Sequence, residues 1–70
     1  MKLYDFINHL KHNSIIVKLF IASGKDVYKG SVGELKHWYW YSLYINHTIH
    51  NINCENNELW IHLNEVINND

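Results

Sequence analysis

The chain has no arginine, no proline and only one cysteine among its 70 residues. With Cys54 alone, an intramolecular disulfide is excluded, so the chain has no covalent cross-link to stabilise a small core. Six lysines against seven acidic residues give a net charge of -1. This balance argues against duplex DNA as a partner, because phosphate backbones are bound mainly by clustered positive charge with arginine prominent.

Long apolar runs are also missing. The most apolar stretch, residues 15–22, is interrupted by Lys18 and is far too short to cross a bilayer. The first residues lack the uninterrupted apolar segment and small-residue cleavage site of a secretory signal, which predicts cytoplasmic residence. With 47% hydrophobic and 19% charged residues, the composition is that of a globular chain. We predict a single domain over residues 1–70 whose small core favours self-association.

Catalytic and cofactor signatures are missing as well: there is no P-loop, no dinucleotide glycine motif and no nucleophile elbow. Six histidines include two His-x-x-His pairs, His9 with His12 and His47 with His50. No Cys-x-x-Cys or second acidic ligand accompanies these pairs, so we predict no metal site. We therefore predict that the protein is not an enzyme and uses no cofactor.

The pattern that is present predicts an α+β fold: an N-terminal helix, a β-hairpin, a short helix and a second β-hairpin, forming a small antiparallel sheet with the helices on one face. Residues 3–11 carry apolar side chains at helical spacing. Residues 15–22 and 27–32 predict the first hairpin, with Gly24 and Lys25 at its tip. Ser31 and Glu34 fit a capping box, which predicts a helix from near Val32 to near Tyr44 or Ile45.

The second hairpin has a predictable register, because Asn56 and Asn57 tolerate the positive φ angles of a two-residue turn. This register pairs Glu55 with Glu58 and continues to His50 opposite Leu63. It directs six side chains to the core: His50, Ile52, Cys54, Leu59, Ile61 and Leu63. A buried Cys54 thiol would stay protonated and inert, so a dyad with a histidine is not expected. The tail from Asn64 is expected to fray.

The outer face of the predicted sheet carries large apolar side chains among Lys and Asn residues: Ile16, Phe20, Ile49 and Trp60. An apolar patch with a polar rim on an uncovered face is typical of an interface. Two simpler interpretations remain open. Small sheets do expose a few aromatic residues, and the tail segment Val66-Ile67 could fold back over them.

The segment KHWYWYSLY, residues 36–44, places five of the ten aromatic residues within seven positions. One helix would direct Trp38 and Tyr39 to the core beside Leu35 and leave Trp40 and Tyr41 exposed. A strand would instead separate Trp38 and Trp40 from Tyr39 and Tyr41. In either case about half of the cluster must face outward. Large rigid side chains of this kind anchor protein interfaces. The candidate anchors are Trp38, Trp40, Tyr41 and Tyr44. Phe20 and Trp60 would either extend this binding surface or form a homodimer contact.

Three segments carry a resemblance: MKLYDFI at residues 1–7, VYKGSVGEL at residues 27–35 and NELWIHL at residues 57–63. They resemble small proteins of phages and mobile elements in low-GC Firmicutes. In place of the plain helical segment of those proteins, this chain has the WYWY cluster and additional histidines. The resemblance implies the same order of helices and hairpins, and a phage protein acting in the cytoplasm of an infected host.

Small phage proteins of this kind are often inhibitors of host defence, including anti-CRISPR proteins. The leading hypothesis is therefore a non-enzymatic binding protein that covers a surface of a host defence protein. A second hypothesis is an oligomeric sponge for a nucleotide immune signal, in which aromatic rings stack on the base and Lys29, Lys36 or His37 contact phosphates. A third is a phage accessory or assembly protein.

Overall fold

A computed structural model describes residues 1–65 and shows an α+β fold, which confirms the predicted class. In chain order the elements are α1 (Leu3–His9), β1 (Ile16–Phe20), β2 (Asp26–Ser31), α2 (Val32–Lys36), α3 (Tyr41–Tyr44), β3 (Ile49–Glu55) and β4 (Glu58–Leu63). Within residues 1–65, none of the helices has the length and apolar character needed to cross a membrane. The predicted fold-back of Val66-Ile67, and most of the predicted fraying tail, lie outside the described residues.

The sheet is mixed, whereas the sequence predicted an antiparallel one. Its strand order is β2-β1-β4-β3, with each hairpin antiparallel and the two central strands, β1 and β4, parallel to one another. The hairpins therefore meet through the first strand of one and the second strand of the other. A parallel pair requires a long connection, which here runs through β2, both later helices and β3.

The second hairpin keeps its predicted register from the turn as far as Asn51, which pairs with His62. Asn56 and Asn57 have φ angles of 52° and 63°, as the two-residue turn requires. An irregularity then shifts the pairing, so that Ile49 and not His50 lies opposite Leu63. Ile49 consequently packs against the core, while His50 is exposed. The predictions for these two residues were wrong because a bulge moves the side chains that follow it to the other face.

The first hairpin has a longer loop than predicted. Phe20 pairs with Asp26, and the Ile21 amide donates to the Lys25 carbonyl oxygen at 2.9 Å, so the loop spans residues 21–25. Gly24 has a φ angle of 88°, a left-handed conformation that glycine adopts without strain. The loop gives the hairpin its turn at the predicted place but with a different register.

The core lies between the helices and one face of the sheet. Among residues 1–65 it consists of eight fully or almost fully buried side chains: Leu3, Ile7, Val17, Leu19, Val32, Leu35, Ile61 and Leu63. Strand β3 lies at the edge of the sheet and is exposed along its length except at Ile49. The predicted burial of Cys54 and Ile52 was therefore wrong: both are exposed, since they face the inner side of the sheet beyond the core.

The capping box that begins α2 is present as predicted. The Glu34 amide donates to Ser31 Oγ at 3.1 Å, and the Ser31 amide lies 3.5 Å from Glu34 Oε1. The single helix expected over residues 32–45 is divided, however. Helix α2 ends at Lys36, the chain turns through residues 37–40, and α3 begins at Tyr41. This break determines which aromatic side chains are exposed.

Candidate functional site

Three aromatic residues after α2 contribute to the fold. Trp38, Tyr41 and Tyr44 are half-buried and pack against the core. The Trp38 ring lies 4.9 Å from that of Tyr28 and 5.8 Å from that of Tyr44, between ring centroids, and is nearly parallel to the latter. Burial raises the pKa of Tyr41, with a smaller contribution from nearby Tyr4. The expectation that Tyr41 would be exposed was wrong. The expectation that Trp38 would pack against the core is confirmed.

The neighbouring residues Tyr39, Trp40 and Leu43 expose large apolar surfaces, and we call them the aromatic ridge. Their exposed fractions are 80% for Tyr39, 50% for Trp40 and 58% for Leu43. The Tyr39 and Trp40 rings meet edge to face, with 4.7 Å between centroids and an interplanar angle of 89°. The predicted exposure of Trp40 is confirmed, while the predicted burial of Tyr39 is wrong because the turn at residues 37–40 rotates it outward.

A groove of about 360 Å³ lies beside the aromatic ridge. Trp38, Trp40, Leu43 and Tyr44 form one part of its lining, and Lys25, Asp26 and Val27 from the first hairpin form the other. The groove therefore combines aromatic walls with one positive and one negative side chain. Sequence reasoning missed Leu43, although its spacing of three from Trp40 is a helical signal that could have found it.

A second group of side chains lies on the face of the sheet that is turned away from the helices. It combines three ring side chains with one lysine, and we call it the sheet-face cluster: Lys18, Phe20, Trp60 and His62. The Phe20 ring is stacked on His62 at 4.5 Å and lies 5.4 Å from Trp60, between centroids. Lys18 Nζ lies 4.9 Å from the Trp60 ring centroid. The predicted neighbourhood of Phe20 and Trp60 on the outer face is confirmed. All four side chains are half-buried, largely against one another.

Polar contacts hold the Trp60 indole in place. Its Nε1–H donates to Glu58 Oε1 at 3.1 Å, and Lys29 Nζ lies 3.3 Å from Glu58 Oε2. The hydrogen bond from Trp60, together with the Lys29 ammonium, lowers the pKa of Glu58. Since Trp60 already uses its only hydrogen-bond donor within the chain, its indole offers a partner contact area without a free polar group.

The residues considered for a nucleotide ligand are not brought together. Lys29 lies on the outer face of the sheet and is engaged by Glu58. Lys36 and His37 are exposed at the end of α2, on the side of the sheet that the helices cover. The four-stranded sheet therefore lies between Lys29 and the pair Lys36 and His37.

The histidines are scattered over the molecule. Nδ1 of His9 lies 2.6 Å from the Asp5 carbonyl oxygen, and Nδ1 of His47 lies 2.8 Å from that of Asn64. His50 and His62 both line a hollow of about 230 Å³ beside the first hairpin loop. Within residues 1–65, no three side chains of His, Cys, Asp or Glu come together as a group that could hold a metal ion.

No protein-family model, curated protein or solved structure matches the chain. Its functional site is therefore defined by its own geometry. Two surfaces have the chemistry of recognition: the aromatic ridge with its groove, and the sheet-face cluster. Of the two, the aromatic ridge has more of its apolar area in contact with solvent.

Proposed function

We propose that the chain is a non-enzymatic binding protein that inhibits a bacterial defence protein by covering one of its functional surfaces. The observation that carries the proposal is the exposure of Tyr39, Trp40 and Leu43 side by side next to an aromatic-lined groove. Exposed apolar side chains scattered singly are normal, whereas adjacent ones on a small protein are typical of an interaction site.

The contacts around the aromatic ridge suit it to a protein partner. Trp40 is braced by Tyr39 on one side and lines the groove on the other. Such a side chain buries a large apolar area on binding and loses little rotamer freedom, which is why Trp dominates interface hot spots. Lys25 and Asp26 at the groove add polar contacts that orient the partner.

The class of target comes from the resemblance of residues 1–7, 27–35 and 57–63 to small phage proteins of low-GC Firmicutes. Inhibitors among such proteins act in the infected host cell, where the defence proteins are. Occlusion of a target surface needs affinity and shape and no catalytic group, and an exposed apolar surface such as the aromatic ridge with its groove is suited to supply both.

The proposal is tested by capturing the target from a low-GC Firmicute lysate with the wild-type chain and measuring its affinity for single variants. Trp40→Ala should raise the Kd by about thirtyfold or more, as expected for a hot-spot Trp. The same variant should also restore the activity of the captured defence protein. Loss of affinity without loss of fold, checked by circular dichroism, would support the ridge as the docking site.

Tyr4→Ala is the matched control, since Tyr4 is 51% exposed and does not line the groove. It should change the Kd by less than about threefold, as is usual outside a hot spot. Equal weakening by both variants would contradict the proposal, as would a target that is another phage protein. Weakening by Trp60→Ala but not by Trp40→Ala would move the docking site to the sheet-face cluster.

A nucleotide panel separates the sponge hypothesis from this proposal. A ligand that binds the folded chain raises its melting temperature by mass action. Because the sheet separates Lys29 from Lys36 and His37, we expect no thermal shift with mono-, di- or cyclic nucleotides. A shift that Lys36→Ala abolishes would contradict the protein-blocking mechanism.

A further inference from the structure

On one side of strand β3, only some of the backbone groups are paired with another segment. One side pairs with β4, and on the other the N-terminal segment covers only its beginning: the Ile49 amide donates to the Met1 carbonyl oxygen at 2.8 Å, and Lys2 bridges to Thr48. From His50 to Glu55, no described residue pairs with the outer side of β3. We call this stretch the free edge.

The turn fixes which backbone groups point out from the free edge. In a two-residue hairpin turn, the flanking residues, here Glu55 and Glu58, exchange both backbone hydrogen bonds. Pairing alternates along the ladder, so Asn53 and Asn51 also bond to β4. The amides and carbonyls of Ile52 and Cys54 consequently point away from β4.

We infer that a second copy of this chain pairs with the free edge, antiparallel and with the two-fold axis at Asn53. In this register, the backbone of Ile52 exchanges both hydrogen bonds with that of Cys54 in the second copy, and symmetry repeats the pair. The two sheets then form one continuous eight-stranded sheet. The inference stands on the backbone of β3 and is independent of the proposed function.

The N-terminal segment and the turn exclude the neighbouring registers. An axis at Ile52 would bring the turn of the second copy against Thr48, whose outer side Lys2 already occupies. An axis at Cys54 would place Asn56, with its φ of 52°, opposite Ile52 and lose that pair of bonds. The axis at Asn53 therefore gives the longest ladder that the free edge permits.

In this register, the side chains along the free edge are complementary to those of the second copy. Ile52 would meet Cys54 on the inner face, where Ile52 is now 36% exposed, and Asn53 would meet its own copy. Glu55, the only charged residue in β3, would lie opposite the Asn51 amide, which can donate to it. The stretch has no Lys, Pro or inward-facing charge, the usual devices that block edge pairing, whereas the other edge strand, β2, carries Asp26 and Lys29.

A cysteine at the axis tests the register directly. In a Cys54→Ser background, Asn53→Cys places two thiols in a non-hydrogen-bonded antiparallel pair, with Cα atoms about 4.5 Å apart. A disulfide spans Cα distances up to about 7 Å, so mild oxidation should convert most of the chain to a covalent dimer. Non-reducing electrophoresis measures the dimer fraction over a dilution series.

Asn51→Cys in the same background is the control, since it lies on the same face of the same strand. Its two copies would be separated by four residues along the ladder, or about 14 Å, so it should not cross-link. Equal cross-linking by both variants would overturn the register. A wild-type chain that sediments as a monomer at millimolar concentration would overturn the dimer itself, and so would pairing of the edge with a different protein only.

A proline substitution in β3 gives a second test of the dimer, and this test requires no oxidation. Cys54→Pro removes an amide that points outward and leaves the β3–β4 ladder intact, a position at which edge strands accept proline. It should raise the dimer Kd by about tenfold or more, because symmetry removes two hydrogen bonds. Cys54→Val keeps the amide and should remain as dimeric as the wild type. A proline variant that is folded and as dimeric as Cys54→Val would contradict the inference.

Discussion

Trp38 and Trp40 are separated by one residue and face different surroundings. Trp38 is held between Tyr28 and Tyr44 against the core, while half of Trp40 is exposed beside Tyr39. Both residues lie in the turn of residues 37–40 between α2 and α3, where no helical periodicity relates their directions. The same residue type therefore stabilises the fold at one position and is available to a partner at the other.

Urea unfolding of two alanine variants checks this difference. Trp38→Ala should lower the free energy of unfolding by about 2–3 kcal/mol, because it removes packed aromatic area. Trp40→Ala should lower it by less than about 0.5 kcal/mol, as is usual for surface sites. Equal losses of stability would contradict the assignment of Trp40 to the surface.

At the residue scale, the sequence predicted the composition of the two surfaces better than the exposure of each member. Phe20 and Trp60 were placed correctly on the outer face because strand alternation is strict. Tyr39 and Tyr41 were assigned to the wrong environments because the prediction assumed one helix that continues beyond Lys36, where α2 ends. No Gly or Pro marks the break between α2 and α3. At this break Trp38 packs against Tyr28, a contact between distant residues that a local sequence pattern does not contain.

At the element scale, the capping box determines where α2 begins. Ser31 Oγ accepts the Glu34 amide and donates to Glu34 Oε1 at 3.0 Å, so that the first turn of a five-residue helix is held by one side-chain pair. A helix this short gains little from its own backbone hydrogen bonds. Its position therefore depends on this cap and on the burial of Val32 and Leu35.

Ser31→Ala should lower the free energy of unfolding by about 1 kcal/mol, the typical effect of losing an N-cap. Ser42→Ala, an exposed serine in α3, is the control and should change stability by less than about 0.5 kcal/mol. Thermal unfolding at several urea concentrations measures both. A Ser31 variant as stable as the Ser42 variant would show that packing alone positions α2.

The hairpins show what local chemistry can and cannot predict at this scale. Asn56 and Asn57 determine a two-residue turn, and the register follows from it for five residue pairs, Glu55–Glu58 to Asn51–His62. The bulge at His50 accompanies the bond between Ile49 and Met1, a contact between distant parts of the chain. A prediction from adjacent residues could not include it.

At the scale of the whole molecule, a small core leaves much of the chain for recognition. The eight core residues lie between the helices and the central strands, so β3 and the aromatic ridge remain outside the core. The sequence predicted the α+β class and the order of helices and hairpins, except that the one helix expected between the hairpins is divided into α2 and α3. It could not predict the parallel pairing of β1 with β4, since either strand of each hairpin could meet the other hairpin.

Trp40 also provides the most direct test of the central claim, that the aromatic ridge is the surface a partner covers. In a variant with Trp38→Phe and Trp60→Phe, Trp40 is the only tryptophan of the chain. Replacing it biosynthetically with 7-azatryptophan, which is excited at longer wavelength than the tryptophans of a partner, lets iodide quenching report its exposure alone. We predict strong quenching in the isolated chain and protection once the captured host protein is added. Quenching that is unchanged in the complex, or a Trp40 already shielded in the isolated chain, would contradict the claim.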